Sequence, residues 1–208
     1  MVTVNVQDNK FYLHKNLLCN RSSYFRACFD GKFKEAEDNV FNLPDDDVEA
    51  FKLFVDWLYG APVKKCGPEE LASFLALLVF SEKICLEFLH NEIMNQIRAF
   101  YRTCDQDPPV STRTIQYVYE NTLSTSPLRY FIISLAAWTC VESVTTALTG
   151  IAYEELLRQG GDFAVDFSFS LALVHTPSGV SKDPRSVPSC TFHNHKTTPP
   201  CKGFTGAL

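Results

Sequence analysis

No apolar run in this sequence approaches the roughly 20 residues needed to span a bilayer. The longest, Phe74 to Phe80, fits a buried helix. The amino terminus lacks a basic stretch followed by an apolar one, so nothing in it reads as a secretory signal. There is no glycine-rich nucleophile turn, no phosphate loop and no solenoid-type repeat. A basic stripe is missing too. The net charge is −5, and residues 30–56 hold nine acids against three lysines. Binding to DNA or RNA rests on displacing counterions from phosphate, so nucleic acid is excluded as the main partner. Residues 176–208 carry four basic groups against Asp183, too few to reverse that. Eight cysteines are present, but Cys19, Cys28, Cys66, Cys85, Cys104 and Cys140 are scattered, several within apolar helical patterns. Such residues behave as small buried hydrophobes, and a reducing compartment, cytoplasmic or nuclear, is expected.

What is present suffices for a core: 46% hydrophobic and 13% aromatic residues in a chain of 208. That length accommodates one large domain, or one domain with a helical extension. Val2, Val4 and Val6 alternate with Thr3 and Asn5, the period of a half-buried strand. Asp8-Asn9 supplies turn chemistry, and Lys10 to Leu13 reads as the returning strand. The alternative is an irregular arm. From Lys15 the period becomes helical through Phe29, broken near Asn20-Arg21-Ser22 and ended by Gly31. Asn39 to Leu43 reads as a short strand. Asp45-Asp46-Asp47 then starts a helix bearing Val48, Phe51, Phe54, Val55 and Leu58, closed by Gly60. The acidic triplet could also be a metal or catalytic cluster, but capping explains it.

Pro68-Glu69-Glu70 starts a helix through Lys83, and the next carries Leu86, Leu89, Ile93, Ile97 and Phe100 as one stripe. Asp105 to Pro109 is the best boundary in the chain. Beyond it, Ser111 or Thr112 and then Ser126-Pro127 cap two helices, and further amphipathic segments cover about 142–150, 151–159 and 162–174. From Thr176 the composition shifts to Pro, Ser, Thr, Lys and Gly, and order is expected to end.

The run His14-Lys15-Asn16-Leu17-Leu18-Cys19, then Ser22-Ser23-Tyr24-Phe25-Arg26-Ala27, resembles the opening of BTB/POZ domains. Phe33-Lys34-Glu35-Ala36, Leu43-Pro44-Asp45-Asp46 and Ala50 to Tyr59 follow in the family's order, so the likeness covers about residues 1–100. Tyr117-Val118-Tyr119-Glu120-Asn121-Thr122 with Ser126-Pro127-Leu128-Arg129 is similar to the C-terminal helical region of filamentous-fungal BTB proteins, to about residue 175. The resemblance implies an α+β fold: a BTB/POZ domain at 1–104, with a small N-terminal sheet and a helix cluster, and an all-α extension. The remaining segments are a linker at 105–110, the helical region at 111–175 and a largely disordered Cys/His-containing tail at 176–208. It implies a non-enzymatic protein–protein interaction module that homodimerises or recruits a partner, with a cullin-type ubiquitin ligase scaffold as one candidate. The alternative is a scaffold in transcriptional or structural assembly. In cullin adaptors a hydrophobic-x-Glu motif enters a groove of the scaffold, and here it maps onto Phe33, Lys34 and Glu35; the alternative buries Phe33 in the domain's own core. Met1 falls directly at the first strand, where the family usually has a Ser-Asp dipeptide and long-form members a dimerising helix, so that interface is expected to be truncated away or absent. No kelch, ankyrin, MATH or zinc-finger domain follows, so in an adaptor the helical half would hold the substrate.

One metal-like constellation stands in the tail: Cys190, His193, His195 and Cys201, two thiols and two imidazoles within twelve residues. That donor set suits tetrahedral zinc, although C-x2-H-x-H-x5-C departs from the usual finger spacing. In extended chain His193 and His195 point the same way and can chelate together. Similar Cys/His tails accompany the fungal proteins that the second half resembles. The alternative is a tail with incidental Cys and His. The other histidines are isolated: His14 in an orienting hydrogen bond, His90 on a solvent-facing helix turn, and His175 where the helices end. No catalytic residue is assigned.

Overall fold

The computed structural model describes residues 1–104, 109–142, 153–174 and 182–202. The expected helix at 142–150, most of the linker at 105–110 and His175 lie outside them. The chain divides into two units, Met1–Ile97 with His195–Thr198, and Arg98–Asn194 with Pro199–Leu208.

In the first unit, β1 (Val2–Val6) is the centre of a three-stranded sheet. β2 (Asn9–Leu13) pairs with it antiparallel and β3 (Val40–Leu43) parallel. Val2, Val4 and Val6 are buried, as the alternation requires. The hairpin turn lies one residue earlier than expected. Val6 pairs with Asn9, leaving Gln7-Asp8 as the loop, and Gln7 takes the left-handed conformation at φ 51°. That register keeps the valines on the core face, and Gln7 is held by its amide donating to the Asp46 carbonyl at 3.0 Å.

The parallel partner β3 must be reached by a crossover. α1 (Lys15–Arg21), α2 (Ser23–Asp30) and α3 (Lys34–Asp38) supply it. The break between α1 and α2 is a cap: the Ser22 hydroxyl accepts the Phe25 N–H at 3.3 Å and donates to the Ile84 carbonyl at 3.0 Å. α4 (Val48–Leu58) is capped by Asp47, whose carboxylate accepts the Ala50 N–H at 2.7 Å. Asp46 pairs with Lys83 at 2.7 Å. Capping and pairing thus account for two members of the acidic triplet.

α5 (Leu71–Lys83) begins three residues after Pro68, because 68–70 form a turn, and α6 (Glu87–Arg102) follows it. As its apolar circumference requires, α5 buries Phe74, Leu75, Leu77, Leu78 and Phe80. Phe25, Phe29, Phe41, Phe51, Phe54 and Phe80 meet at centroid separations of 5.3–6.3 Å, many edge to face. Each such burial contributes about 1.5–3 kcal/mol.

The second unit holds α7 (Thr112–Asn121), α8 (Pro127–Glu142), α9 (Glu154–Gln159), α10 (Gly161–Val174) and a 3-10 helix, Ser189–Phe192. Ser111 caps α7 through the Thr114 N–H at 3.1 Å. Two residues singled out by sequence, Tyr119 and Arg129, stack here with the guanidinium 4.0 Å from the ring centroid. The Tyr119 hydroxyl donates to Asp166 at 3.0 Å. Burial, then that carboxylate, push the phenol well up.

Residues 182–202 depart from the disorder expected of their composition. Arg98, itself buried, donates to the carbonyls of Pro184, Arg185 and Val187, and lies 5.2 Å over the Phe192 ring. Burial, with Arg102 nearby, lowers its guanidinium to about 10. Phe192 is buried against Tyr130 and Phe131. A segment rich in proline and serine is held here by hydrogen bonds and one aromatic anchor rather than by periodic apolar residues.

Candidate partner-docking loop and cysteine–histidine cluster

Gly31 ends α2 and brings the chain back so tightly that a Cβ on it would lie 2.3 Å from the Ala27 carbonyl oxygen and 3.1 Å from the Phe33 ring. The glycine is needed for close approach, since its φ of −83° suits any residue. Phe33 follows as the residue capping α3, with its carbonyl accepting the Ala36 N–H at 3.0 Å. Its side chain is 60% exposed. The reading that tucks Phe33 into the core therefore does not hold. Lys34 is exposed and Glu35 half-buried in the first turn of α3. Glu35 contributes, after burial, to the raised thiol of Cys28. An exposed phenyl ring with a carboxylate two positions on can anchor a partner's pocket and add one charged contact.

His14 makes the orienting contact expected of it. The Tyr59 hydroxyl accepts the His14 backbone N–H at 3.3 Å and lies 2.8 Å from Nδ1, to which it donates in the tautomer that carries the proton on Nε2. His90 is a correction. It is buried rather than solvent-facing, with Nε2 3.2 Å from Glu82 and Nδ1 3.1 Å from Asn91. Its place on α6 explains this, because positions 90, 93, 94 and 97 share one apolar face.

In the tail, ligand atoms of Cys190, His195 and Cys201 all lie within 4.8 Å of one another, so this cluster could hold a metal. His193 stands against the same group, with Nδ1 3.2 Å from the Cys201 sulfur. The Cys201 N–H donates to the Cys190 sulfur at 3.3 Å, and Thr198 Oγ1 lies 3.1 Å from His195 Nδ1. Burial, then the Cys190 thiol, push the Cys201 thiol up. The 3-10 turn Ser189–Phe192 starts this loop, anchored by buried Phe192, and a bend at residues 196–198 turns it back before Pro199-Pro200.

Two features escaped the sequence reading. The buried Glu87 carboxylate accepts the N–H groups of Thr197 and Thr198 and the Thr197 hydroxyl, all at 2.8–2.9 Å. Burial alone would raise this acid, but those hydrogen bonds outweigh it and hold the carboxyl below its ordinary value. In the second unit, Val165, Phe169 and Leu173 form an exposed apolar stripe at i, i+4, i+8 on α10. The spacing was legible, but only the fold shows which face of α10 is covered. No described helix is long and apolar enough to cross a membrane.

Comparison with known proteins gives these features their setting. Residues 2–93 match the family described as BTB/POZ domain. Over 125 residues the chain is 32% identical to BTB and MATH domain-containing protein 15 of Caenorhabditis elegans, covering 59% of this chain and 46% of that protein. Over 63 residues it is 38% identical to Kelch repeat and BTB domain-containing protein 4 of Homo sapiens and of Mus musculus, covering 30% of this chain and 12% of each relative. The chain thus spans less than half the length of these relatives. The mixed sheet β2-β1-β3, the helix cluster around its phenylalanine core and the match over residues 2–93 give this segment the BTB/POZ fold, followed by a further helical region.

Proposed function

We propose that the chain is a non-enzymatic adaptor whose BTB/POZ domain docks a protein partner through Phe33, Lys34 and Glu35, the partner being a cullin-type ubiquitin ligase scaffold. The observation that carries this reading is the 60% exposure of Phe33 beside Glu35, at the start of α3. An aromatic ring left in water at the head of a five-residue helix adds nothing to its own core; in a partner's pocket its burial would contribute about 1.5–3 kcal/mol. Lys34 and Glu35 would set the register of that contact rather than its strength. The substrate would then be held by the helical region, which we group with the fungal BTB proteins on the run from Tyr117 to Arg129, taking 105–110 as the linker before it. Self-association of the BTB/POZ domain is compatible with this role. No step passes through a metal; zinc at Cys190, His193, His195 and Cys201 would be structural. The deciding experiment is a pull-down of purified cullin by the wild-type chain and by a Phe33→Ala, Glu35→Ala double variant. Capture by the wild type and loss in the variant supports the adaptor. No capture rejects it in favour of a scaffold without a ubiquitin role, and equal capture by both rejects docking through Phe33 and Glu35.

A further inference from the structure

We propose that Cys190, His193, His195 and Cys201 bind one zinc ion, which closes the loop running from the 3-10 turn to Cys201. The ligand atoms of Cys190, His195 and Cys201 are already gathered within 4.8 Å of one another. A tetrahedral ion with Zn–S of about 2.3 Å and Zn–N of about 2.0 Å needs its sulfur and nitrogen ligands roughly 3.5–4 Å apart. His193 Nδ1 lies 3.2 Å from the Cys201 sulfur, beside the three gathered ligands rather than among them, and would turn onto the ion as the fourth donor.

The surroundings hold the donors in place. Cys190 is buried, and its sulfur accepts the Cys201 N–H at 3.3 Å. Thr198 Oγ1 at 3.1 Å from His195 Nδ1 restrains that ring, as outer-shell partners of metal-bound imidazoles do. Two thiolates and two neutral imidazoles neutralise a divalent ion, so the filled site leaves no net buried charge. On binding, each thiol gives its proton to solvent and the sulfur lone pair goes to the metal, with no redox change. Between His195 and Cys201 the loop contains no buried apolar side chain. A metal at its base would add a cross-link to the hydrogen bonds that Thr197 and Thr198 already give Glu87.

The test uses the full chain purified under reducing conditions. Elemental analysis should find about one zinc per chain, lost in the Cys190→Ser, Cys201→Ser double variant. To keep the test independent of that variant's folding, wild-type apoprotein is titrated with cobalt(II) in parallel. Thiolate-to-cobalt charge-transfer bands and intense tetrahedral ligand-field bands are expected, both displaced by zinc. His193→Ala should weaken zinc binding by at least about tenfold, as loss of even an outer-shell partner does. A zinc-free chain whose cobalt spectrum lacks the thiolate bands overturns the site. So does zinc retained in the double variant, or a Cys190–Cys201 disulfide in place of the metal. An affinity unchanged by His193→Ala overturns the four-ligand assignment.

Discussion

Glu87 and Thr197 stand 110 positions apart, yet the Glu87 carboxylate receives the Thr197 N–H through both oxygens, at 2.8 and 2.9 Å. With the Thr197 hydroxyl and the Thr198 N–H added, one buried acid gathers three donors from the tail. Replacing it by glutamine removes the charge and puts a donor where acceptors were needed. Glu87→Gln should destabilise the contact by about 1–3 kcal/mol. Faster hydrogen exchange at the Thr197 and Thr198 amides would show it; unchanged protection would refute the clamp.

The same acid predicts a pH dependence with a definite sign. Burial opposes the Glu87 charge, but the threonine hydrogen bonds win and its folded carboxyl titrates below the unfolded one. Its contribution is therefore fully present above the unfolded value, about 4.3, and lost as pH falls through the lower folded value. Denaturation midpoints of the wild type and Glu87→Gln should differ at pH 7 and converge as acid protonates Glu87. A gap that stays constant from pH 7 to pH 3 would assign the variant's effect to packing.

Arg98 makes the ordered tail testable at a second point. Its guanidinium serves the carbonyls of Pro184, Arg185 and Val187 from a buried position. Arg98→Met keeps much of the side-chain volume and removes every donor, which should cost about 1–3 kcal/mol for the acceptors left unsatisfied. Proteolysis after Arg185 or Lys182 should then become rapid. Resistance equal to the wild type would show that Phe192, the Arg102 bond to the Arg185 carbonyl and the Arg185 stacking on Trp138 hold the segment without it.

These tail contacts also mark where the sequence stopped being readable. The hairpin, the caps Asp47 and Ser111 and the first-turn Pro127 are signalled within a few residues of where they act, so alternation and capping chemistry reveal them. The positive φ fell on Gln7 rather than on Asp8 or Asn9 because the register of the valines, not turn preference, decides it. His90 was misplaced although its spacing from Ile93 and Ile97 put it on the buried face; its polarity outweighed its position in the reading. Cys190, His195 and Cys201 were legible because they are neighbours in sequence. The partners of Glu87 and Arg98 are about 90 to 110 residues away, and no local pattern points to them.

For the docking loop, Phe33→Ala should weaken partner binding by about 2 kcal/mol or more, near 30-fold, if the ring is an anchor. Its exposure means that folding stability should move by no more than about 0.5 kcal/mol. Calorimetry against the captured partner and urea unfolding of the same sample separate the two. A large loss of stability would show that the ring supports the fold instead.

Gly31→Ala perturbs the same loop without touching its chemistry. The φ of −83° suits alanine, so there is no backbone penalty from the left-handed region. The new Cβ, however, would sit 2.3 Å from the Ala27 carbonyl oxygen, which belongs to α2 and cannot swing away as a side chain can. It would also press on the Phe33 ring at 3.1 Å. The end of α2 must shift, at about 1–3 kcal/mol by analogy with overpacked cores, and Phe33 moves with it. Both stability and partner affinity should therefore fall in Gly31→Ala, whereas Phe33→Ala lowers affinity alone. An alanine variant as stable and as tightly binding as the wild type would mean that the loop tolerates displacement, and that the position of Phe33 does not depend on the turn at Gly31.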